Sequence, residues 1–367
     1  MTERIILGGG GHAHLSVLAD WAKRPLPQTE RWLVTSARHT AYSGMLPGWL
    51  AGNYRADDLL IDLEPLAQWA GAHLVIGDIV KLDADAAKIE LSTGVQMAFD
   101  VLSLATGGEA NVVSLAALGE RLLPVKPVDA FLRKWTAFAE EAQQRGTVDV
   151  VVVGGGAAGV EMAFGVEAAL RLRGVRGTVS LVTPQTGFLA DHAAKTRALA
   201  QAALARCGIG LHFAKATGTA EGVILSNDTF LHADCVVAAT GSRAQAWLAQ
   251  SGLACTAKGF VQVGANLRSI SHPGILAAGD VIERTDRQLA RSGVHAVKAG
   301  PILAANIRAS VAGDRDQAYT PRRRTLYLMA YDSRQAILSW GPLATAGHWV
   351  WRLKDWIDRS FVRQYQV

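Results

Sequence analysis

The chain has 367 residues, 50% of them apolar, which is enough for two or three domains with buried cores, and a formal charge of +5. Its opening residues lack the charged, apolar and small-residue regions of a secretory signal, and no apolar run reaches bilayer length, so a cytoplasmic chain is expected. Three widely spaced cysteines, Cys207, Cys235 and Cys255, argue for a reducing compartment and against a redox-active dithiol.

In chain order, Arg4–Leu7 reads as a short strand that enters a run of glycines, followed by His12, Ala13 and His14. Ala13–Ala22 then places Leu15, Leu18 and Ala22 on one helical face before Pro25. Strand, glycine turn and helix is the order that holds a dinucleotide pyrophosphate. Gly9 permits the tight turn, and Gly11 lets phosphate lie against amides at the helix N-terminus, with Gly10 between them. His14 stands where the third glycine of the motif belongs. That glycine serves close helix–strand packing, so His14 is expected to loosen the packing without blocking the phosphate. His12 and His14, two apart on a helix, do not share a face, and no metal site is expected.

The next apolar segment, "WLVTSAR", supplies Thr35 and Ser36 where an acid usually binds the adenosine ribose; hydroxyls can donate and accept there. "FDVLSLATGG" then carries Ala105, Thr106 and Gly107 near its end. The pattern returns. Val150–Val153 reads as a buried strand, and Gly154, Gly156 and Gly159 complete G-x-G-x-x-G. "SLVTPQ" supplies Thr183, neither an acid for a free 2′-hydroxyl nor an Arg for a 2′-phosphate, so NADH and NADPH both stay open. "ADCVVAATGS" repeats the A-T-G signature at Ala239, Thr240 and Gly241. The glycine-to-threonine spacing is 97 residues from Gly9 to Thr106 and 86 from Gly154 to Thr240. Two dinucleotide-binding units are implied. A third apolar strand, in "GILAAGDVIE", delivers Gly279 and Asp280, and a helix follows over Val294–Arg308.

From Pro321 onward there are seven Arg and one Lys against three Asp, an excess equal to the formal charge of the whole chain. Arg322–Arg324 reads as a solvated strand end rather than a nucleic-acid contact. In the last segment Trp349, Leu353, Trp356, Ile357, Phe361 and Tyr365 fall at helical spacing, with Arg352, Lys354, Arg359 and Arg363 interleaved. Such a helix either lies in a membrane interface or packs its apolar face on the protein.

The order of glycine turn, A-T-G, G-G-G-x-x-G-x-E, A-T-G and A-x-G-D resembles the two-dinucleotide flavoproteins of the pyridine nucleotide–disulfide oxidoreductase superfamily. "AYSGMLPGWLAGNY" is similar to a segment of type II NADH dehydrogenases and sulfide:quinone reductases. "GGGHAH", "YSGMLPG", "GVHAVKAGP" and "WGPLATAGHWVWRLKDWIDRSF" resemble the flavoprotein domain fused to some selenide, water dikinases. This resemblance implies an α/β fold with two Rossmann-like units of the glutathione-reductase type and a small C-terminal extension. The FAD domain would be discontinuous, 1–125 and 255–318, with an NAD(P)H domain at 126–254 and a segment of strands and an amphipathic helix at 319–367.

It further implies that Gly9–His14 hold the FAD pyrophosphate, that the backbone at Ile79 reads adenine, and that Asp280 accepts from the ribityl or pyrophosphate region. The helix beginning near His295 and Ala296 would aim its positive end at the flavin, with Lys298 either adding to that charge or simply solvated. Glu161 would face the nicotinamide, with a helix-capping role as the alternative. Disulfide reductases carry their cysteine pair in the loop that here holds Tyr42, Ser43, Met45, Leu46 and Pro47. Electrons are therefore expected to pass from NAD(P)H through FAD directly to a quinone-type small molecule, with oxygen also open as acceptor and with Tyr42 beside the flavin. The alternatives are reduction of a selenium or sulfur compound or a small redox protein, and a slowly turning flavin redox sensor. A homodimer stays open, as does a place at the inner face of a membrane.

Overall fold

Val150–Val153 is apolar at every position because its sheet is covered on both faces, with helices packed on the side of Val150 and Val152 and an antiparallel meander with the segment Val113–Arg121 on the side of Val151. The computed structural model describes residues 2–366. There this strand is central in a five-stranded parallel sheet ordered Leu122–Pro124, Cys235–Ala238, Val150–Val153, Val179–Thr183, Gly210–Phe213. The first glycine turn sits in a second five-stranded parallel sheet, ordered Ile275–Ala277, Val101–Leu104, Glu3–Gly8, Thr29–Thr35, His73–Ile76. The repeat therefore extends from motif to strand order. In each sheet the central strand feeds the glycine turn, the A-T-G strand lies on one side, and the strand ending in Thr35 or Thr183 lies on the other. An antiparallel meander of three strands, over 79–98 and 216–232, precedes each A-T-G strand.

Strand Ile275–Ala277 joins the first sheet only after the chain has completed the second. Its arrival places the helix Gly293–Ala312 against the helix His12–Lys23. Gly300 permits that approach, since a Cβ there would lie 2.5 Å from Ser16 Oγ. Between the units, the short helix Leu46–Leu50 docks on helix Ala157–Leu172 at Gly165, where a Cβ would be 3.0 Å from the Pro47 carbonyl oxygen.

The C-terminal segment forms three antiparallel strands, Leu326–Tyr331, Gln335–Trp340 and Leu343–Gly347, and then the helix His348–Arg363. This small sheet packs on the helices Ala157–Leu172 and Ala194–Arg206 of the second unit. The terminal helix departs from the facing that packing of its whole apolar stripe on the protein would give. Its buried stripe is Val350, Lys354, Asp358 and Val362, while Trp349 and Trp356 are 55% and 67% exposed. The reason lies in what the body presents. Glu161 and the carbonyl of Gly44 meet the helix there, and an ammonium satisfies both where an indole could not. Phe361 and Tyr365 do pack inward, reaching back to Tyr42, His12 and Ser16 of the first unit.

Candidate functional site

Two glycine cradles define the site. Gly9 adopts φ +98°, and a Cβ on Gly9 or Gly11 would fall 2.6 Å or 2.4 Å from the Ala105 carbonyl oxygen, so the turn is pressed against the first A-T-G segment. Gly11 begins the helix without a side-chain cap, which leaves amides for an anionic group. The second turn is built alike. Gly154 has φ +138° with Ala239 behind it, and Gly156 begins helix Ala157–Leu172 uncapped. A Cβ at Gly156 meets nothing within 4 Å, so space lies open in front of that helix end.

The turns differ at the third motif position. A Cβ on Gly159 would lie 2.0 Å from the Gly154 carbonyl oxygen, whereas the corresponding carbonyl of Gly9 accepts a hydrogen bond from His14 Nδ1 at 2.6 Å. His14 Nε2 then accepts from Ser103 Oγ at 2.9 Å, the arrangement of a neutral imidazole. Burial holds its pKa down at about 4, against the backbone bond to Gly9. Rather than loosening the packing, His14 replaces a close contact with two hydrogen bonds from a fully buried ring.

Buried polar atoms surround the first cradle. His12 Nε2, Thr106 Oγ1 and Ser292 Oγ are buried atoms without a hydrogen-bond partner among the described residues. His12 and Ser43 approach Gly293 at the start of the helix that also carries His295 and Ala296. Burial lowers the pKa of His12, so its ring is neutral near pH 7. Thr35 is buried and abuts Gly10, with Oγ1 3.0 Å from where a Cβ would stand, while Ser36 is exposed. In the second unit Thr183 abuts Gly155 and donates to the Pro184 carbonyl at 3.2 Å. Ile79 is buried against Gly8, in the first strand of its meander. His295 Nδ1 pairs with the Tyr319 hydroxyl at 3.0 Å. Lys298 is exposed.

The A-T-G segments join the cradles. Glu109–Ala110 pairs antiparallel with Ser242–Arg243, the Asn111 amide donates to Gly241 at 2.9 Å, and Thr240 Oγ1 donates to the Asn111 carbonyl at 2.7 Å. Asp280, just past strand Ile275–Ala277, reaches this junction and pairs with Lys126. Sequence reasoning passed over Lys126; "LPVKPVDAF" carries it at the crossing between units.

Beneath the Tyr42–Leu50 loop lies a buried ionic cluster. Lys354 Nζ donates to Gly44 O and Asp358 Oδ2, each at 3.0 Å, and stands 3.6 Å from Glu161 Oε1. Glu161 also accepts from the Ala330 amide at 2.9 Å. Burial pushes both carboxyls up, and it raises the Tyr42 hydroxyl, which is further raised by nearby Asp358. Burial alone would lower Lys354, yet Glu161 and Asp358 hold it above its ordinary value. Two carboxyls share one ammonium, so one of them is inclined to keep its proton. Tyr42 stacks on Phe361 at 4.3 Å between ring centroids and meets His12 edge-on at 5.4 Å, which ties the cluster to the first cradle. Sequence reasoning named Lys354 only among the basic residues interleaved on the terminal helix; its i,i+4 spacing to Asp358, in register with Val350 and Val362, was the available signal.

None of the three cysteines lies in the Tyr42–Leu50 loop, and burial pushes Cys207 up to about 11 and Cys235 up to about 12. Asp149, His232 and Asp234 come within metal-binding distance of one another, but Asp234 already accepts from Arg145 at 2.5 Å and from the Asp149 amide at 2.8 Å. A cation there would face that arginine.

Residues 3–300 match the pyridine nucleotide-disulphide oxidoreductase family. The chain belongs to that family. Its members are FAD- and NAD(P)-binding oxidoreductases, in keeping with the two cradles. An NADH dehydrogenase-like protein of Mycobacterium tuberculosis is 30% identical over 243 residues, covering 62% of this chain and 60% of that protein's own length. In fold the chain is similar to NDH2 from Plasmodium falciparum, solved with NADH, at a TM-score of 0.83 and 12% identity, covering 100% of this chain and 97% of that one. It is also similar to the sulfide:quinone oxidoreductase of Aquifex aeolicus, at a TM-score of 0.82 and 16% identity, over 99% and 92% of the two chains.

Proposed function

We propose that the chain takes two electrons and a proton from NADH or NADPH onto FAD and passes them to a quinone-type acceptor without a cysteine relay. The observation that carries this is the meeting of two glycine cradles at one junction, next to a cysteine-free loop backed by Glu161, Lys354 and Asp358. FAD bound in the first cradle would supply the hydride acceptor and the two-electron store. The protein's own work is then placement, exclusion of water and proton supply.

Reducing a quinone to a quinol consumes two electrons and two protons, so one proton beyond the hydride's must reach the acceptor. The Glu161–Lys354–Asp358 cluster suits that task, because burial raises both of its carboxyls and so favours their protonated forms. Tyr42 and Phe361 would wall the acceptor side. The names of the two structural neighbours, one with sulfide and quinone and one with NADH, support the same reading. Trp349 and Trp356 lie exposed with Arg352 and Arg363 on the terminal helix, which supports peripheral contact with an anionic membrane, where a lipid-soluble acceptor would reside. No helix among the described residues is long and apolar enough to cross one.

Anaerobic titration of the FAD-bound protein with NADH, then NADPH, tests the donor step. Bleaching of the oxidised flavin bands, followed by recolouring on adding a soluble quinone, is expected. A bound flavin that neither nucleotide bleaches would overturn the reading.

A further inference from the structure

Lys126 owes its place to the internal repeat. Strand Leu122–Pro124 is the edge strand of the second sheet beside the A-T-G strand, the position that Ile275–Ala277 holds in the first. Each edge strand delivers a charged residue just beyond its carboxyl end, Lys126 in one unit and Asp280 in the other, and the two pair across the junction. Lys126 Nζ also donates to Ser242 Oγ at 3.0 Å, and Ser242 Oγ donates to Asp280 Oδ2 at 3.3 Å. Both protein contacts to Asp280 thus fall on Oδ2, leaving Oδ1 without a protein donor among the described residues. The Asp280 side chain is 13% exposed, so its charge is poorly screened by water.

We propose that Lys126 is a positioning residue for the flavin: it fixes Asp280 with one oxygen free for a flavin hydroxyl and offsets the carboxylate charge beside the ring that becomes anionic on reduction. The inference rests on the FAD reading above. Lys126 comes from the second unit and Asp280 from the first, so the charge balance at the flavin exists only while the two units are docked. An unpaired Asp280 would oppose the negative charge of reduced flavin and disfavour reduction.

The test uses the FAD-loaded protein and the variants Lys126→Met, Lys126→Arg, Asp280→Asn and Lys126→Met with Asp280→Asn. Flavin midpoint potential is read by dye equilibration and FAD retention by fluorescence. In Lys126→Met the potential is expected to fall and reduction by the nucleotide to slow by about tenfold, equal to ~1.4 kcal/mol on the barrier. Lys126→Arg restores both, and in the Asp280→Asn background the Met substitution no longer moves the potential. Should Lys126→Met shed FAD, retention by Lys126→Arg supports the positioning role, and loss from both overturns it. An unchanged potential in Lys126→Met, or an equal fall with and without Asp280, also overturns the proposal. Failure of the wild-type protein to bind FAD would instead remove the reading on which it rests.

Discussion

Replacing Lys354 by Met keeps the unbranched stem of the side chain but removes the cation that two buried carboxyls share. Its ammonium stands 3.0 Å from Asp358 and 3.6 Å from Glu161. At an effective dielectric of ~20, unit charges at those separations attract by about 5.5 and about 4.6 kcal/mol. Against this stands a desolvation penalty of several kcal/mol, and measured losses on removing one member of a buried pair are about 3–5 kcal/mol. That is a large part of a usual stability of ~5–15 kcal/mol. Release of the terminal helix into water sets the upper limit, because it rehydrates both carboxyls. The sign with pH follows from burial, which raises Glu161 and Asp358 in the folded protein. Without the ammonium they rise further. The folded variant then binds more protons than the unfolded chain above the ordinary carboxyl range, so its deficit is largest near pH 8 and shrinks as pH falls. Denaturant unfolding of FAD-free wild type and variant near pH 8 and near pH 5.5 reads this directly, without stabilisation from bound cofactor. Adding Glu161→Gln should recover part of the loss. Equal stability of the two proteins near pH 8, or a deficit that grows on acidification, would refute the compensation argument.

Other consequences follow from the same contacts. Because His14 titrates at about 4 when folded and near 6.5 when exposed, its neutral form contributes about 3 kcal/mol above pH 6.5, and this is lost as pH falls toward 4; His14→Gln should flatten that slope in urea titrations. Gly156→Ala should fold within about 0.5 kcal/mol of wild type yet raise KM for the nucleotide by about tenfold or more, since the new methyl enters only ligand space. Gly159→Ala, with the Gly154 carbonyl 2.0 Å from the new Cβ, should lose stability itself, and equal melting temperatures for the two variants would contradict this account. Trp349→Ser with Trp356→Ser should reduce co-sedimentation with anionic vesicles without lowering reduction of a soluble quinone; unchanged sedimentation would remove the membrane contact.

What was legible in the sequence was what local geometry dictates. Gly9, Gly11, Gly154 and Gly159 are required by carbonyls a few residues or one strand away, so their spacing survives as a motif. Apolar Val150–Val153 announces a strand covered on both faces, and the A-T-G echo announces its neighbour. His14 was legible as a departure but not in its consequence, because its second hydrogen bond goes to Ser103 on an adjacent strand. The facing of the terminal helix was not legible for a similar reason. Hydrophobic periodicity assumes that the inward face meets an apolar surface, whereas this face meets Glu161 and a bare carbonyl, so the helix turned its lysine inward and left two tryptophans outside.

Lys126 and Lys354 share one property that explains why the acids they meet on other segments could not be found from spacing. Each belongs to one segment and neutralises acids on another: Lys126 crosses from the second unit to Asp280, and Lys354 from the terminal helix to Glu161. A dinucleotide cradle needs little charge from its own unit, because helix N-terminal amides bind the phosphates. On the proposed reading the flavin ring and the acceptor would stand where the units meet, and charge there would be supplied across the boundary. The repeated units therefore hold the cofactors by local rules, while the cations that balance the junction arrive from non-local ones. A variant that loosens unit docking without touching either cradle, such as Arg243→Ala at the Glu109 ion pair, should accordingly slow flavin reduction more than it weakens binding of either dinucleotide. Stopped-flow reduction rates set beside equilibrium FAD and nucleotide affinities make the comparison, and a parallel loss of binding and rate would place the charge balance within the units instead.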